Sequence, residues 1–456
     1  MRVLVTPRVR MVQSDGHPML EMLGMKFDAG ALHSLVHRER VHRSLYLDPE
    51  MFDLEMERIF GSTWIYVGHD SLVPKAGDYI TARAGKQPLV MSRHTDGQVY
   101  VIFNSCGHRG AVVCNEDKGN AALFRCCYHG WTFKTNGDLD AIAMRRGYGE
   151  SFDASNPALG MRRAPHVVNY RGFVFASLAG NVPSLEEHLG PAKDSIDELV
   201  DRAPDGEIDL GGGVHKYVFR GNWKLQLENS VDMYHVPFSH ESSVSRSGRQ
   251  FSRGEGQKGG SAISDRGGAA QRWEQRVAWG ARSNGHGYAG HQPVAEEMPD
   301  TPTFRAYVAA LEARHGKERT QEILRPKRHN TAFYPNMTLQ ALNQHVRVIV
   351  PIAVDRTEVH VYPIRFKGAP KDMNDGFVRH LNLTHSAASL IQTDDLECFR
   401  RCQEGLSAQN SDWVWFARGA DTDKEDEHGD YVNHGTVETQ QRAQYAAWLH
   451  LMSAGE

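Results

Sequence analysis

The sequence predicts an α+β protein of two domains. Three observations carry that reading. The chain has 456 residues, more than one compact core usually holds. From Trp64 to Leu178 the apolar residues fall in short runs rich in β-formers, separated by Gly, Asn and Asp. Beyond that, segments with helical spacing alternate with the longer strands of a second sheet.

The elements follow in order. Residues 1 to about 45 read as a polar, irregular lead-in, and Met11, Met19 and Met25 leave the start codon open. MFDLEMERIF, 51–60, has apolar residues at helical spacing. WIYVGH, DYITARAG, QPLVMSR, QVYVIFNS, ALFRCC, WTFKTNGDL and GFVFASL read as strands of an all-β module. SLEEHLGPAKDSIDELV, 184–200, reads as one helix opened by a capping box of Ser184 and Glu187. VHKYVFR, 214–220, is a strand, and Asn222 caps the helix after it. Residues 243–292 are rich in Gly, Ser and Arg and read as a long surface excursion. TAFYPNMTLQAL, HVRVIVPIAV and TEVHVYPIRF are strands of the second sheet. FVRHLNLTHSAASLIQ, DDLECFRRCQEGL and residues 436–452 are helices, and there is no internal repeat. The expected boundaries are 1–60 for an N-terminal segment packing with the second domain, 61–180 for the β module and 181–456 for the second domain.

The composition, 40% hydrophobic and 24% charged, is that of an ordinary soluble protein. A net charge of −4 with no basic stripe argues against nucleic acid as the main partner. No apolar run approaches the roughly 20 residues that span a bilayer. The N-terminus has no secretory apolar region, so a cytoplasmic location is expected. The six cysteines, Cys106, Cys114, Cys126, Cys127, Cys398 and Cys402, are too few for a disulfide scaffold at this length. They are free to be ligands, and Cys114, Cys398 and Cys402 read instead as small buried apolar residues.

Two segments carry chemistry. NSCGHRG and RCCYHGW give Cys106-x-His108 and Cys126-x-x-His129, with 17 residues between the pairs and glycines permitting tight turns. Two cysteines and two histidines on facing loops suit a Rieske [2Fe–2S] cluster, thiolates on one iron and imidazoles on the other. A structural zinc site is the rival, although its usual His-x₃₋₅-His ending is missing. Cys127 competes with Cys126; Cys126 is preferred because the longer loop frees His129 to reach the second iron.

The second segment is ENSVDMYHVPFSH, 228–240. Read as a helix, it puts Asp232 and His235 on one face. His240 lies about 140° round from His235, and a kink at Pro237 would swing it back. Converging imidazoles point to a metal. A mononuclear iron site would need one carboxylate as well, from Asp394 or Asp395 in IQTDDLECFRRC, two acids that also suit a helix start. Asp232 would accept the spare N–H of His235, and Asn229 lies on nearly the same face.

Together these motifs, with Asn222-Trp223-Lys224, Glu228-Asn229 and Tyr234-His235, resemble the large subunit of Rieske non-haem iron aromatic-ring oxygenases, from about residue 40 to the C-terminus. Respiratory Rieske proteins differ: they carry two further cysteines where this chain has Ala111 and Tyr128. The resemblance implies a catalytic domain of helix-grip type, a large antiparallel sheet flanked by helices. It implies a mononuclear Fe(II) on His235, His240 and Asp395, with Asp232 bridging to a neighbouring subunit's His129. It implies a homotrimer or an α3β3 assembly with a small β subunit. Electrons would come from NAD(P)H through a separate reductase, with or without a ferredoxin. A small aromatic substrate would react with O₂ to a cis-dihydrodiol, a phenol or a dealkylated product. VHRSLYLDPEMFDLEMERIF, HNTAFYPNMTL, VRVIVPI and TDDLECFRRCQEGL are most similar to the benzoate, toluate and anthranilate class. That implies an aromatic carboxylate, and a cation to meet it: Arg347, or Arg246, Arg249 or Arg253 in the Gly-rich excursion, which departs from that class. The alternatives are a Rieske electron-transfer protein without oxygenase activity and a zinc-stabilised binding protein.

Overall fold

The computed structural model describes residues 27–240, 276–290, 299–325, 327–341 and 344–454. Two small antiparallel sheets build the β module. One runs in the order Val99–Phe103, Gln87–Arg93, Asp78–Ala84, Lys118–Asn120, the other Leu139–Ala141, Thr132–Lys134, Leu123–Arg125. Val90, Ile102, Phe124, Trp131 and Phe133 fill the space between them. A third sheet, His166–Tyr170, Phe173–Ser177 and Trp64–His69, lies against the second domain. The Asn336 side chain fastens it there, accepting from Tyr66 N–H at 3.0 Å and donating to Tyr66 C=O at 2.9 Å.

The second domain is a nine-stranded antiparallel sheet. Its order is His215–Phe219, Arg356–Pro363, His345–Ala353, Met337–Gln340, Arg328–Phe333, Gly287–Gly290, Val277–Gly280, Tyr431–His434, Lys424–Glu425. Side chains alternate across it. Val346, Val348 and Val350 of one strand join the core shared with Trp64 and Phe173. Ile349 joins the opposite core with Trp223, Leu227 and Val231, so His345 and Arg347 turn to that side too.

Four helices cover that second face: α1 (Pro49–Arg58), α2 (Trp223–Val231), α3 (Gln392–Leu406) and α4 (Thr439–Ser453). A buried polar knot sets α2. Glu55 of α1 takes hydrogen bonds from Lys224 Nζ at 2.6 Å and from the indoles of Trp223 and Trp448 at 2.8 Å each. A charge pair this deep persists only when its remaining hydrogen-bonding capacity is met, which the two indoles do. Asn222 accepts from Lys224 N–H at the start of α2 and donates to Val354 C=O at 2.9 Å. The Asn-Trp-Lys run is therefore structural: it holds the helix that leads to the histidines.

Several sequence expectations are corrected. The described part of the lead-in is regular: Asp28 caps the helix Ala29–Leu35, Leu32 is fully buried, and Arg40–His42 pairs with Trp413–Trp415. Its buried residues are scattered among polar ones and its partner strand is distant in sequence, so no local period marks it. The Gly-rich excursion contributes two strands, Val277–Gly280 and Gly287–Gly290, to the main sheet. The glycines serve packing there: a Cβ on Gly280 would stand 2.6 Å from that of Ala443 on α4. The 184–200 helix has its capping box but breaks at Gly190-Pro191 into Leu185–Leu189 and Lys193–Val200. The helix Lys371–Thr384 stops short of Ile391; Ser389 Oγ donates to Thr384 C=O at 2.7 Å in the turn that follows. Cys114 is buried, but Cys398 is half-buried and Cys402 is exposed.

Candidate metal centres

The first centre lies at the tips of two loops with matching backbones. Gly110 N–H bonds Cys106 C=O, and Gly130 N–H bonds Cys126 C=O. Cys106 N–H bonds Ala111 C=O, and Cys126 N–H bonds Trp131 C=O. Gly110 and Gly130 both take left-handed φ, +73° and +70°, which closes each turn. Gly107 is required for another reason: a Cβ there would sit 2.2 Å from Leu159 O.

Cys106 and Cys126 are buried and face one another as hydrogen-bonding neighbours, while Cys127 is exposed. Burial raises the Cys106 thiol pKa; the His108 backbone N–H opposes this, and Cys126 adds to it. The His108 and His129 rings are 4.6 Å apart, and His108 stacks on Trp131 at 4.8 Å. Desolvation, then the charges of His108 and Arg109, lower His129. His108 Nδ1 is buried with no hydrogen-bond partner among the described residues. A lone pair in that condition is costly unless something binds it. Two facing thiols and an orphaned imidazole nitrogen fit a [2Fe–2S] cluster.

The second centre is assembled from two helices. The segment 228–240 is not a kinked helix. α2 ends at Val231, Asp232 is extended, and a new helical turn, Val236–Ser239, starts with Pro237 in its first turn, where a missing N–H costs nothing. The break at Asp232 brings His240 back. His235, His240 and Asp395 then offer ligand atoms within 4.8 Å of one another. His235 Nε2 lies 3.5 Å and His240 Nε2 3.2 Å from Asp395 Oδ1.

The outer nitrogens have their own partners. His235 Nδ1 is 3.2 Å from Asp232 Oδ2, and His240 Nδ1 is 3.3 Å from Asp394 Oδ2. Protons on both Nδ1 atoms leave both Nε2 lone pairs facing the Asp395 carboxylate. Three acceptors converging without a proton repel each other, and a divalent cation relieves this; the set fits one. Asn229 donates to His235 Nε2 and to Asp395 Oδ1, both at 3.1 Å. Asp395 is 4% exposed. Burial alone would raise its pKa; when the imidazoles are instead protonated, a hydrogen bond from His240 and the charges of His235, His240 and Arg347 outweigh this and hold it low.

Sequence reasoning thus named residues that the fold brings together, and it missed two features. Asp394 partners His240 and does not cap α3, whose cap position is Ile391 with no side-chain hydrogen bond. Glu228, one residue before Asn229, sits between the hydroxyls of Tyr46 and Tyr445 at 2.9 and 2.5 Å. Its signals were its place in the Glu228-Asn229 motif and a carboxylate inside the apolar spacing of a helix. Arg347 lies on the α2 side of the sheet, bonded to Gln392 of α3 at 2.8 Å. Arg246, Arg249 and Arg253 lie outside the described residues.

Comparison with known proteins identifies the two domains that carry these centres. A Rieske [2Fe-2S] domain model matches residues 63–148, and a ring hydroxylating alpha subunit (catalytic domain) model matches residues 210–453. The 2-halobenzoate 1,2-dioxygenase large subunit of Burkholderia cepacia is 33% identical, over 84% of this chain and 80% of its own. The toluate 1,2-dioxygenase subunit alpha of Pseudomonas putida is 35% identical, over 81% and 79%. The anthranilate 1,2-dioxygenase large subunit of Acinetobacter baylyi is 33% identical, over 83% and 80%. Among solved structures, naphthalene 1,2-dioxygenase with indole bound superposes with a TM-score of 0.80 at 26% identity, covering 94% of this chain and 95% of that one. The chain belongs to the alpha subunits of the Rieske ring-hydroxylating oxygenases. It is an oxidoreductase, the terminal oxygenase of a system fed by a reductase, with a [2Fe–2S] cluster and a non-haem iron as cofactors. Family membership sets aside the zinc-protein and pure electron-carrier alternatives. No helix among the described residues is long and apolar enough to cross a membrane.

Proposed function

We propose that this chain hydroxylates the ring of a small aromatic carboxylate, such as a benzoate derivative, by cis-dihydroxylation or monohydroxylation. The observation that carries the reading is the convergence of His235, His240 and Asp395 within 4.8 Å, each imidazole backed by its own carboxylate. The relatives' names, halobenzoate, toluate and anthranilate, support the substrate class.

In this reading Cys106 and Cys126 hold one iron of the cluster and His108 and His129 the other. His235, His240 and Asp395 hold the mononuclear Fe(II). When bound, the cluster supplies single electrons and the Fe(II) supplies the activation of O₂. The chain's own groups do the rest. Asp232 and Asp394 fix the imidazole tautomers and ring orientations. Asn229 gives up His235 Nε2 to the metal and orients Asp395 through its hydrogen bond to Oδ1. Burial of His240 and Asp395 keeps bulk water from the reacting face.

Asp232 is half-buried and His129 lies at a loop tip. Tyr128 and Phe238 beside them are 61% and 70% exposed, unusual for large rings. We assign these surfaces to a trimeric ring, alone or with a small β subunit, in which Asp232 meets His129 of the partner subunit. The location is cytoplasmic, in keeping with six free cysteines.

Metal and sulfide content of protein purified without air tests the reading. About three irons and two sulfides per chain with a Rieske absorption spectrum support both centres. Two irons without mononuclear metal count against the assignment of His235, His240 and Asp395. A panel of benzoates with a surrogate reductase then tests the substrate, and a complete absence of acid-dependent O₂ uptake would sink the carboxylate assignment.

A further inference from the structure

The catalytic sheet carries a buried guanidinium that neither metal centre uses. Arg347 is 1% exposed and faces the side covered by α2 and α3. Its Nη2 donates to Gln392 Oε1 at 2.8 Å. Its Nε and Nη1 have no hydrogen-bond partner among the described residues. The same holds for two neighbouring buried atoms: Gln392 Nε2 and the Thr338 hydroxyl. Thr338 stands opposite Arg347 in the strand register, and the Tyr217 hydroxyl is a hydrogen-bonding neighbour of the guanidinium. Every one of these groups can donate, and the nitrogens can only donate.

A buried cation ringed by unused donors is a costly arrangement unless an anion completes it. The charges that face Arg347 from the packed elements are Asp395 and, where protonated, His385. Asp395 Oδ1 is already engaged by Asn229 and His240. The missing partner is therefore a planar anion that accepts several hydrogen bonds, which a carboxylate does in the fork geometry of a guanidinium. Gln392 precedes Asp395 by three residues, about one 5.4 Å turn of α3. Arg347 and Asp395 are close enough for their charges to interact, so a carboxylate held there would sit beside the triad.

We propose that Arg347, assisted by Gln392, Tyr217 and Thr338, is the carboxylate-binding site of this oxygenase. This rests on the aromatic-acid reading above and adds the residue that enforces it.

The test is calorimetric binding to the assembled holoenzyme, cluster oxidised and air excluded so that nothing turns over. The probes are benzoate, benzamide and toluene; the proteins are wild type, R347Q and R347K. Wild type should bind benzoate at least about 30-fold more tightly than benzamide, as a desolvated charge pair demands. R347Q should lose about 100-fold in benzoate affinity and stay within about 3-fold for benzamide, with iron content and cluster absorption unchanged. R347K should recover only part of the loss, lacking the planar fork. Wild type that binds benzamide as well as benzoate overturns the assignment, and this arm stands even if R347Q fails to hold iron. Tight benzoate binding that survives in iron-loaded R347Q overturns the arginine while sparing the aromatic-acid reading. Wild type that binds toluene but neither acid nor amide overturns both.

Discussion

His240 Nδ1 lies 3.3 Å from Asp394 Oδ2, while the next residue on the same helix, Asp395, faces the opposite nitrogen at 3.2 Å. One imidazole thus stands between consecutive carboxylates. Residues i and i+1 on a helix point about 100° apart, which is why one acid can orient the ring while the other points at the metal position.

The two acids should fail differently. D395N removes a charged ligand and should abolish mononuclear iron binding. D394N leaves the ligand set intact and should weaken iron affinity about 10- to 100-fold, the usual cost of losing a histidine's outer partner. Both should keep the Rieske spectrum. Iron titration of the apo mononuclear site separates the two; equal loss in both variants would contradict the division of labour.

Cys126 and Cys127 are adjacent, yet one is buried beside Cys106 and the other is exposed. C126S should lose cluster absorption and two irons per chain. C127S should keep both. A colourless C127S protein would reverse the ligand assignment.

Asp232 orients His235 and, in the proposed trimer, meets the partner subunit's His129. D232A should therefore lower substrate-dependent O₂ uptake by about 10- to 100-fold or more. Reduction of the cluster by the reductase should be unaffected, and uptake is compared at saturating iron because losing the outer partner of His235 also weakens iron binding. Rapid-mixing spectroscopy checks this: a D232A cluster that reduces normally but reoxidises slowly in the presence of substrate and O₂ is the expected result.

Glu228 predicts a pH dependence of stability. Burial between Tyr46 and Tyr445 pushes its pKa up to about 7, against an unfolded value near 4.5. Between these values the folded chain binds the proton that the unfolded chain has released. Stability from this group is therefore present below about pH 4.5 and falls as pH rises to about 7. E228Q cannot ionise, so its melting temperature should gain on wild type steadily from pH 5 to 7.5. The gain corresponds to no more than about 1.4 kcal/mol per pH unit. A constant offset between the two proteins across that range would exclude ionisation of Glu228.

Much of this protein is legible along the chain because its chemistry is written in local spacing. Cys106-x-His108 and Cys126-x-x-His129 each occupy a single turn, and a turn of that length places its own donors whatever surrounds it. The strands of the β module and the helices α1, α3 and α4 carry their periodicity locally as well, and Asn222 and Ser184 announce helix starts. His235 and His240 were legible as a pair for the same reason, although the cause of their approach was misread: the chain breaks at Asp232 and does not kink at Pro237.

What depends on distant partners was not legible. The ordered segment 29–47 needs Trp413–Trp415 and the main core to exist. The strands Val277–Gly280 and Gly287–Gly290 look like linker until α4 is laid on them, because only close helix approach gives their glycines a purpose. Local sequence narrowed the third ligand to two aspartates, and the rotation of α3 against α2 decides which faces the histidines and which backs one of them. The sequence by itself determined the chemistry of the donor set and the class of protein. Tertiary structure alone decided which of several candidate side chains are buried, oriented and left with hydrogen bonds to give, since burial and orphaned donors are properties of packing between elements far apart in the chain.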